Sequence, residues 1–424
     1  MESCIRQWGR RIPSPRPVRA RSLALLFFCT TTTRAQRVLE VGPGATIAET
    51  IARAKPGDRI VVTRGVYTEP TIVIDRPLTI VGEPGAVIDG SRATHTLRIE
   101  ADDVTVRGLQ FRNVSPSHVE DRAAIRVGEV HRCRIEDNRI SNAFFGIYLA
   151  GTVGCHVTRN ELQGASRTED GAGNGIHLWN ARDIDVADNR IAGHRDGIYL
   201  EFTHESRVTG NTSEHNLRYG MHFMYSDACR YEHNTFRENN SGVAVMYTRD
   251  VVMADNRFEG NWGSAAYGLL LKEIYDAHLT ANRFTRNTTA LVADGATRLI
   301  ADSNSFDDNG WAVRLLASTQ DASFTRNSFA GNTFDVATNS RQTTSSFRGN
   351  YWDSYRGYDL NRDGVGDVPF RPVRLFSLLV ERNEPTLILL RSPIVGVLDV
   401  AERVLPSLTP EMLADPTPRM RRPQ

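Results

Sequence analysis

The chain has 424 residues, with 51 Lys and Arg against 50 Asp and Glu, a formal net charge of +1. This balance, with no basic stripe and no aromatic–basic motif, argues against a nucleic-acid partner. Length alone suggests two or more domains, but an internal repeat makes most of the chain one body.

Residues 1–35 read as a signal peptide and not as part of the fold. Arg10, Arg11, Arg16, Arg19 and Arg21 make a basic start, Leu23 to Cys29 a short apolar stretch, and Thr33-Arg34-Ala35 precedes Gln36. That is the pattern of a cleaved secretory leader, too short to span a bilayer for good. Cys29 lacks the small residues before it that a lipid anchor needs. With the leader gone the remainder is mildly acidic, and no other stretch is apolar enough for a membrane span.

Residues 36–110 read as the opening of a solenoid. Thr46 to Lys55 is a short amphipathic helix with Ile47 and Ile51 on one face, ended by Lys55-Pro-Gly-Asp58. Short strands follow at 59–65, 72–74, 78–82 and 87–90. A helix over the open end protects the unpaired edge of such a body.

From residue 138 an asparagine recurs: Asn138, Asn160, Asn189, Asn211, Asn234, Asn256, Asn282, Asn304, Asn327 and Asn350. The spacing is 22 or 23 residues, except for two gaps of 29 and 26 that hold insertions near Arg167–Gly171 and Trp262–Ala265. Apolar residues three before and two after each Asn mark short strands with one buried face. A second strand opens at Gly146, Gly175, Gly197, Gly220, Gly242 and Gly268. No helical period fits between them. A repeat of this length built of strands predicts an all-β, right-handed parallel β-helix over 36–350, with the Asn stacked in one turn as a structural ladder. Cys133, Cys155 and Cys229 each lie five residues before a ladder Asn, at an inward place, and read as buried thiols. Cys133 and Cys155 fall in consecutive coils about 4.8 Å apart, so a disulfide is open to them in an oxidising compartment.

In the second strand, places two and four after the glycine point outward. They read Tyr148/Ala150, His177/Trp179, Tyr199/Glu201, His222/Met224, Ala244/Met246 and Leu270/Lys272. Met246 is expected over Met224, and His222 lies on the same face about 6.5–7 Å from Met224. Imidazole with thioether is a soft set that suits copper(I). His222, Met224 and Met246 are therefore candidate ligands, with His177 two coils away and Glu201 between as an acceptor for a ligand imidazole. The other reading of the stripe is an aromatic-lined surface for a partner protein or sugar. The remaining His read as solvated, with His204 and His215 as secondary candidates.

After Asn350 the chain changes character, and 351–424 read as a C-terminal extension. Asp359, Asn361, Asp363 and Asp367, with Gly364 for the sharp turn, match the first places of a calcium loop, but Phe370 stands where a Glu would close it. The loop reads as a calcium site or as a metal-free Asx-turn loop. Apolar segments at 376–380, 386–390 and 395–404 are expected to cap the solenoid or dock on another protein, and 414–424 to be disordered.

Several motifs together resemble the NosD family: Gly57-Asp-Arg-Ile-Val-Val62 with Gly65-Val-Tyr67, the Asn ladder, Gly349-Asn-Tyr-Trp-Asp353, Tyr358 through Pro372, Leu389-Leu-Arg-Ser-Pro393 and Ala401-Glu-Arg-Val-Leu-Pro406. The repeat half is shared with many carbohydrate-related β-helices; the C-terminal motifs are more specific. The resemblance implies a periplasmic accessory protein, not an enzyme. It would act in maturation of nitrous-oxide reductase with an ABC transporter permease of the same system and a copper-chaperone lipoprotein. No family motif assigns copper ligands residue by residue. The runner-up is a polysaccharide lyase or hydrolase, or a sugar-binding β-helix, for which the stripe offers Glu201 and Lys272 but no close carboxylate pair.

Overall fold

The computed structural model describes residues 36–92, 94–117, 119–340, 343–405, 409 and 413–422. The expected signal peptide, with Cys4 and Cys29, lies outside the described residues. Between Val38 and Trp352 the strands form three parallel sheets of 14, 12 and 13 members. Each strand pairs with its counterpart one coil on: Arg134–Glu136 with His156–Thr158, and these with Asp185–Ala187. This is a parallel β-helix, as the alternation of apolar residues predicts. No helix among the described residues is long and apolar enough to cross a membrane.

The asparagines do stack in one turn. From Asn138 to Asn327, each donates its backbone N–H and its Nδ2 to the Oδ1 of the next, at 2.8–3.0 Å. All ten Asn are buried. The residue before each one is left-handed, including the non-glycines Asp137 (φ 56°), Asp255 (φ 53°) and Ala281 (φ 55°). Each such conformation costs about 1–2 kcal/mol, so it persists because the ladder over-determines the turn.

A second ladder was not anticipated. Asn216, Asn239, Asn261, Asn287, Asn309 and Asn332 pass backbone N–H bonds along at 2.9–3.2 Å. His194 opens this row by donating its N–H to Asn216 Oδ1. It is buried, not solvated as the sequence suggested, and burial pushes its imidazole down to about 4. Inside the coils, Phe236, Phe258, Phe284, Phe306, Phe329 and Trp352 stack with ring centroids 4.1–5.6 Å apart. Offset stacks of this kind add about 0.5–1.5 kcal/mol per pair to burial.

Both ends are closed. Helix α1 (Ile47–Arg53) buries Ile47 and Ile51, and Thr46 caps its start by accepting from the Glu49 N–H. The buried Glu69 carboxylate accepts from the N–H groups of Ile47 and Ala48. At the far end, helix α2 (Leu375–Arg382) sets Phe376 and Val380 against Phe334. A 3-10 turn (Glu384–Leu389) leads to helix α3 (Pro393–Val404). Cys133 and Cys155 are joined by a disulfide with Cα atoms 4.5 Å apart, while Cys229 is a buried free thiol.

The expectation of disorder over 414–424 fails for the described part, 413–422. Leu413 is in the core, and Asp415 is fully buried at the end of the Asn row. Its carboxylate accepts from Gly349 N–H, Asn350 N–H, Asn350 Nδ2 and Trp352 Nε1 at 2.9–3.2 Å. An acidic side chain thus occupies the place of the next asparagine. Arg422 holds the tail down by pairing with Asp307.

Replacing Asp415 by Ala leaves several buried donors without a partner, at about 1–3 kcal/mol each. Urea unfolding of Asp415→Ala should show a loss of about 3 kcal/mol or more, with a smaller loss for Asp415→Asn, which keeps one acceptor oxygen; equal stability of the three proteins would contradict the capping role. A second test uses Asp335, buried near Asp353. Burial and that neighbouring charge push its carboxyl up to about 6. The folded state therefore keeps a proton that the unfolded chain releases near pH 4, and the native state is penalised as pH rises from about 4 to about 6. Asp335→Asn should be more stable than the parent at pH 7.5, by up to about 3 kcal/mol, and nearly equal to it at pH 4.

Candidate metal centre and adjoining groove

The second strands stack so that the outward columns run as the alternation predicts. One column reads Arg126, Tyr148, His177, Tyr199, His222, Ala244; the next reads Ala150, Trp179, Glu201, Met224, Met246, Lys272. Met246 lies directly over Met224. The glycine that opens each strand allows this close register: a Cβ on Gly197 would stand 2.6 Å from the Gly220 carbonyl oxygen.

The columns are outward from the coil but largely covered. His177 and His222 are only 8% and 7% exposed, so neither lies on a solvated face. Neighbouring rings provide the cover. Tyr148 and Tyr199 flank His177 with centroids at 4.3 and 4.7 Å; Tyr199 and Tyr219 flank His222, each at 4.9 Å. Met224 and Met246 are half-buried. Beside them Phe202, Tyr225 and Tyr247 stack at 5.2 and 5.3 Å, all left-handed.

Among the described residues, His222 has no hydrogen-bond partner on either ring nitrogen. Its Nδ1 is 3.8 Å from Asp196 Oδ2, beyond hydrogen-bond reach. Asp196 is fully buried and paired with Arg218. Burial works against its charge, but Arg218 first and His222 second outweigh this and hold the carboxyl below its usual range. The Tyr199 hydroxyl stands 3.8 Å from Met224 Sδ, and burial with the nearby Glu201 and Asp196 charges pushes it up to about 12. A buried imidazole with both nitrogens unspent costs about 1–3 kcal/mol for each orphan. With two thioethers alongside, it fits a soft monovalent cation in donor type.

His177 behaves differently. Its Nδ1 faces Asn174 Nδ2 at 3.3 Å. With the Asn174 amide nitrogen toward it, Nδ1 accepts and the ring proton sits on Nε2; the turned-over amide exchanges the two roles. The register places Tyr199 between His177 and His222. The structure does not bring His177 into a common set with His222, Met224 and Met246. His215 lies at the surface near Glu238, and His204 sits in the turn row with Arg182. The Cys229 thiol is pushed up to about 11 by burial and supplies no thiolate at neutral pH.

The candidate calcium loop is occupied by its own backbone. Asp359 accepts from the N–H of Asp363 and Gly364, Asp367 from Leu360, Asp363 from Val365 and from Asn361 Nδ2. Phe370, at the closing place, packs on Trp352. Among the described residues, no group of three or more His, Cys, Asp or Glu is arranged to hold a metal ion. The loop's backbone bonds are those of Asx turns.

Beside His177 the outer face carries a groove of about 580 Å³, walled by Ser117, residues 119–121 and the loop at 169–172. His177, Arg195, Tyr199, Glu201 and Arg218 line it. The insertion between Asn160 and Asn189 was legible in the spacing, but not that it would make a wall.

Fold and site together define a parallel β-helix protein with a soft-donor pair of coils on its outer face. Residues 160–357 match the family model described as "Periplasmic copper-binding protein (NosD)". The chain is 32% identical over 371 residues to the probable ABC transporter binding protein NosD of Pseudomonas aeruginosa, covering 83% of this chain and 86% of that one. It is 29% identical to the corresponding protein of Stutzerimonas stutzeri, covering 82% and 84%. The chain belongs to the NosD family. Among solved structures it is similar to the A-module of a mannuronan C-5 epimerase from Azotobacter vinelandii, with TM-score 0.60, 12% identity and coverage of 70% of this chain and 93% of that one. It is also similar to a family 28 exopolygalacturonase from Yersinia enterocolitica, with TM-score 0.57, 11% identity and coverage of 76% and 79%. At these identities the likeness is one of fold alone.

Proposed function

We propose that this protein is an exported, periplasmic accessory protein, not an enzyme, that handles copper(I) for the maturation of nitrous-oxide reductase. In this reading copper(I) is cargo, held by His222, Met224 and Met246, received from a copper-chaperone lipoprotein and passed on toward the reductase in concert with an ABC transporter. The observation that carries the site is the buried His222 ring with both nitrogens unspent, beside two thioethers stacked in register. The description of the family and the names of the relatives support the copper and transporter parts. Two-coordinate or three-coordinate N/S sets suit copper(I), and no carboxylate is needed.

The transporter partner has a candidate surface. Helix α3 turns Val395 and Leu398 toward the Phe334–Phe376 cluster. Its other face is apolar too: Ile394, Val397, Val400 and Val404 are exposed, Val397 at 65% and Val404 at 70%. Although the helix also carries Asp399, Glu402 and Arg403, four exposed aliphatic side chains on one short helix mark a surface for a partner. We assign that surface to the permease of the transporter.

Because His222 is packed between tyrosines, its replacement should keep a ring. The His222→Phe, Met224→Leu, Met246→Leu variant should retain the parent's circular dichroism and lose copper(I) affinity by at least about 100-fold, near 2.7 kcal/mol, in competition with a chromophoric chelator. A variant that holds copper(I) as the parent does would return the stripe to a partner-binding role. For the docking face, deletion of the tail would also remove Asp415, so point changes are cleaner. Val397→Asp with Val400→Asp should abolish co-purification with the transporter while leaving the unfolding midpoint unchanged; continued co-purification would exclude α3 as the contact.

A further inference from the structure

The groove beside His177 is not needed for the copper reading, yet its floor is built from polar groups with nothing to bind. Arg195 Nε and His177 Nε2 are both buried and without a partner. In the tautomer that accepts from the Asn174 amide at Nδ1, the His177 proton is on Nε2 and this atom is a donor. Burial, with Arg195 and Arg126 nearby, pushes the imidazole down to about 3, so the ring stays neutral and keeps that donor across physiological pH. Of the other cations nearby, Arg218 also lines the groove, while Arg126 lies outside its lining with Nη1 buried and making no hydrogen bond among the described residues. Arg218 is bonded to Asp196, and Arg126 lies 3.8 Å over the Tyr148 ring and 3.9 Å from Asp121. Arg195 has no ion-pair partner among the described residues. Two unspent donors lining one groove, one of them cationic, call for an acceptor oxygen with negative charge.

The opening has the opposite character. Glu169 and Asp170, on the loop inserted between two ladder asparagines, are exposed and edge the groove together with Glu201. Their side chains accept no hydrogen bond from the described residues. A ligand that reaches from floor to opening must therefore present an anionic end below and hydrogen-bond donors above. A simple anion leaves the rim carboxylates facing it unfavourably, and a simple cation leaves the floor unsatisfied. The tyrosine and phenylalanine walls, Phe144, Phe145 and Tyr199, suit a compact carbon skeleton between the two ends.

We propose that this groove is a binding site for a small carboxylate whose adjacent carbons carry hydroxyl or amino groups. The carboxylate sits on Arg195 and His177 Nε2, and the hydroxyl or ammonium groups face Glu169, Asp170 and Glu201. The site stands apart from His222, Met224 and Met246, though Tyr199 belongs to both neighbourhoods through its contact with Met224. The proposal does not require copper at that set.

The test is calorimetric titration of the metal-free, full-length exported chain with D-gluconate, L-glutamine and the uncharged polyol D-glucitol. At least one of the two carboxylates should bind, and glucitol should bind at least about tenfold more weakly or not at all. Arg195→Gln should weaken the carboxylate by at least about tenfold, the scale of one lost charge-assisted bond. His177→Phe, which keeps the ring packing, should weaken it by a smaller factor. Glu169→Gln with Asp170→Asn should weaken L-glutamine more than D-gluconate if the natural partner is an amino compound, and both alike if it is a polyol. Binding of neither carboxylate above the level of glucitol overturns the proposal. So does unchanged binding in both Arg195→Gln and His177→Phe, with unfolding midpoints equal to the parent's showing that the variants are intact.

Discussion

The coil-to-coil amide bond is the constraint on which the rest of this structure depends. A β-strand three residues long has few hydrogen bonds with which to choose its register, and a slip by one would turn every inward side chain outward. Each Asn in the main row removes that freedom by accepting two bonds and donating two or more, all in the interior. The left-handed residue before it is the strained element that the row holds in place. Once the row is set, the phenylalanine stack and the outward columns follow, because every coil is pinned at the same point.

This is why so much of the fold could be read from the residues. The Asn recur at nearly constant spacing, the apolar residues flank them at fixed offsets, and a period of two sorts inward from outward places. Met224 and Met246 were correctly paired on that basis. The second Asn row was equally present, five residues after the first from Asn216 onward, and went unnoticed because earlier coils carry Ala143, Ala165 and His194 at that place. The tail was misjudged for a different reason. A Pro- and Arg-rich composition describes solubility, whereas Asp415 acts through one carboxylate set at the end of a row that stops 65 residues earlier.

The candidate site shows where such reading stops. Periodicity determines which way a side chain leaves the coil, but not what covers it. His177 and His222 leave outward and are then covered by Tyr148, Tyr199 and Tyr219. Their chemistry is decided by this tertiary cover. One ring has a hydrogen-bond partner at Nδ1; the other, two coils on, has none among the described residues. Two histidines in equivalent places of one repeat thus become a donor and a pair of unspent nitrogens. The repeat supplies a regular frame, and departures from it supply the individuality: an insertion that walls a groove, and an aspartate standing where an asparagine would otherwise come.

The substitution of Asp415 for a further asparagine carries a consequence for how the molecule is made. Every amide in the row points its donors the same way, so the row has a direction. Its last member presents hydrogens that no later coil can receive, and the acceptor is contributed by Asp415, 65 residues further along the chain. A molecule in which that segment has been lost or displaced is left with an unfinished row and an open strand edge of the kind that recruits other chains. Closure of the solenoid is thereby tied to the docking of a segment remote in sequence.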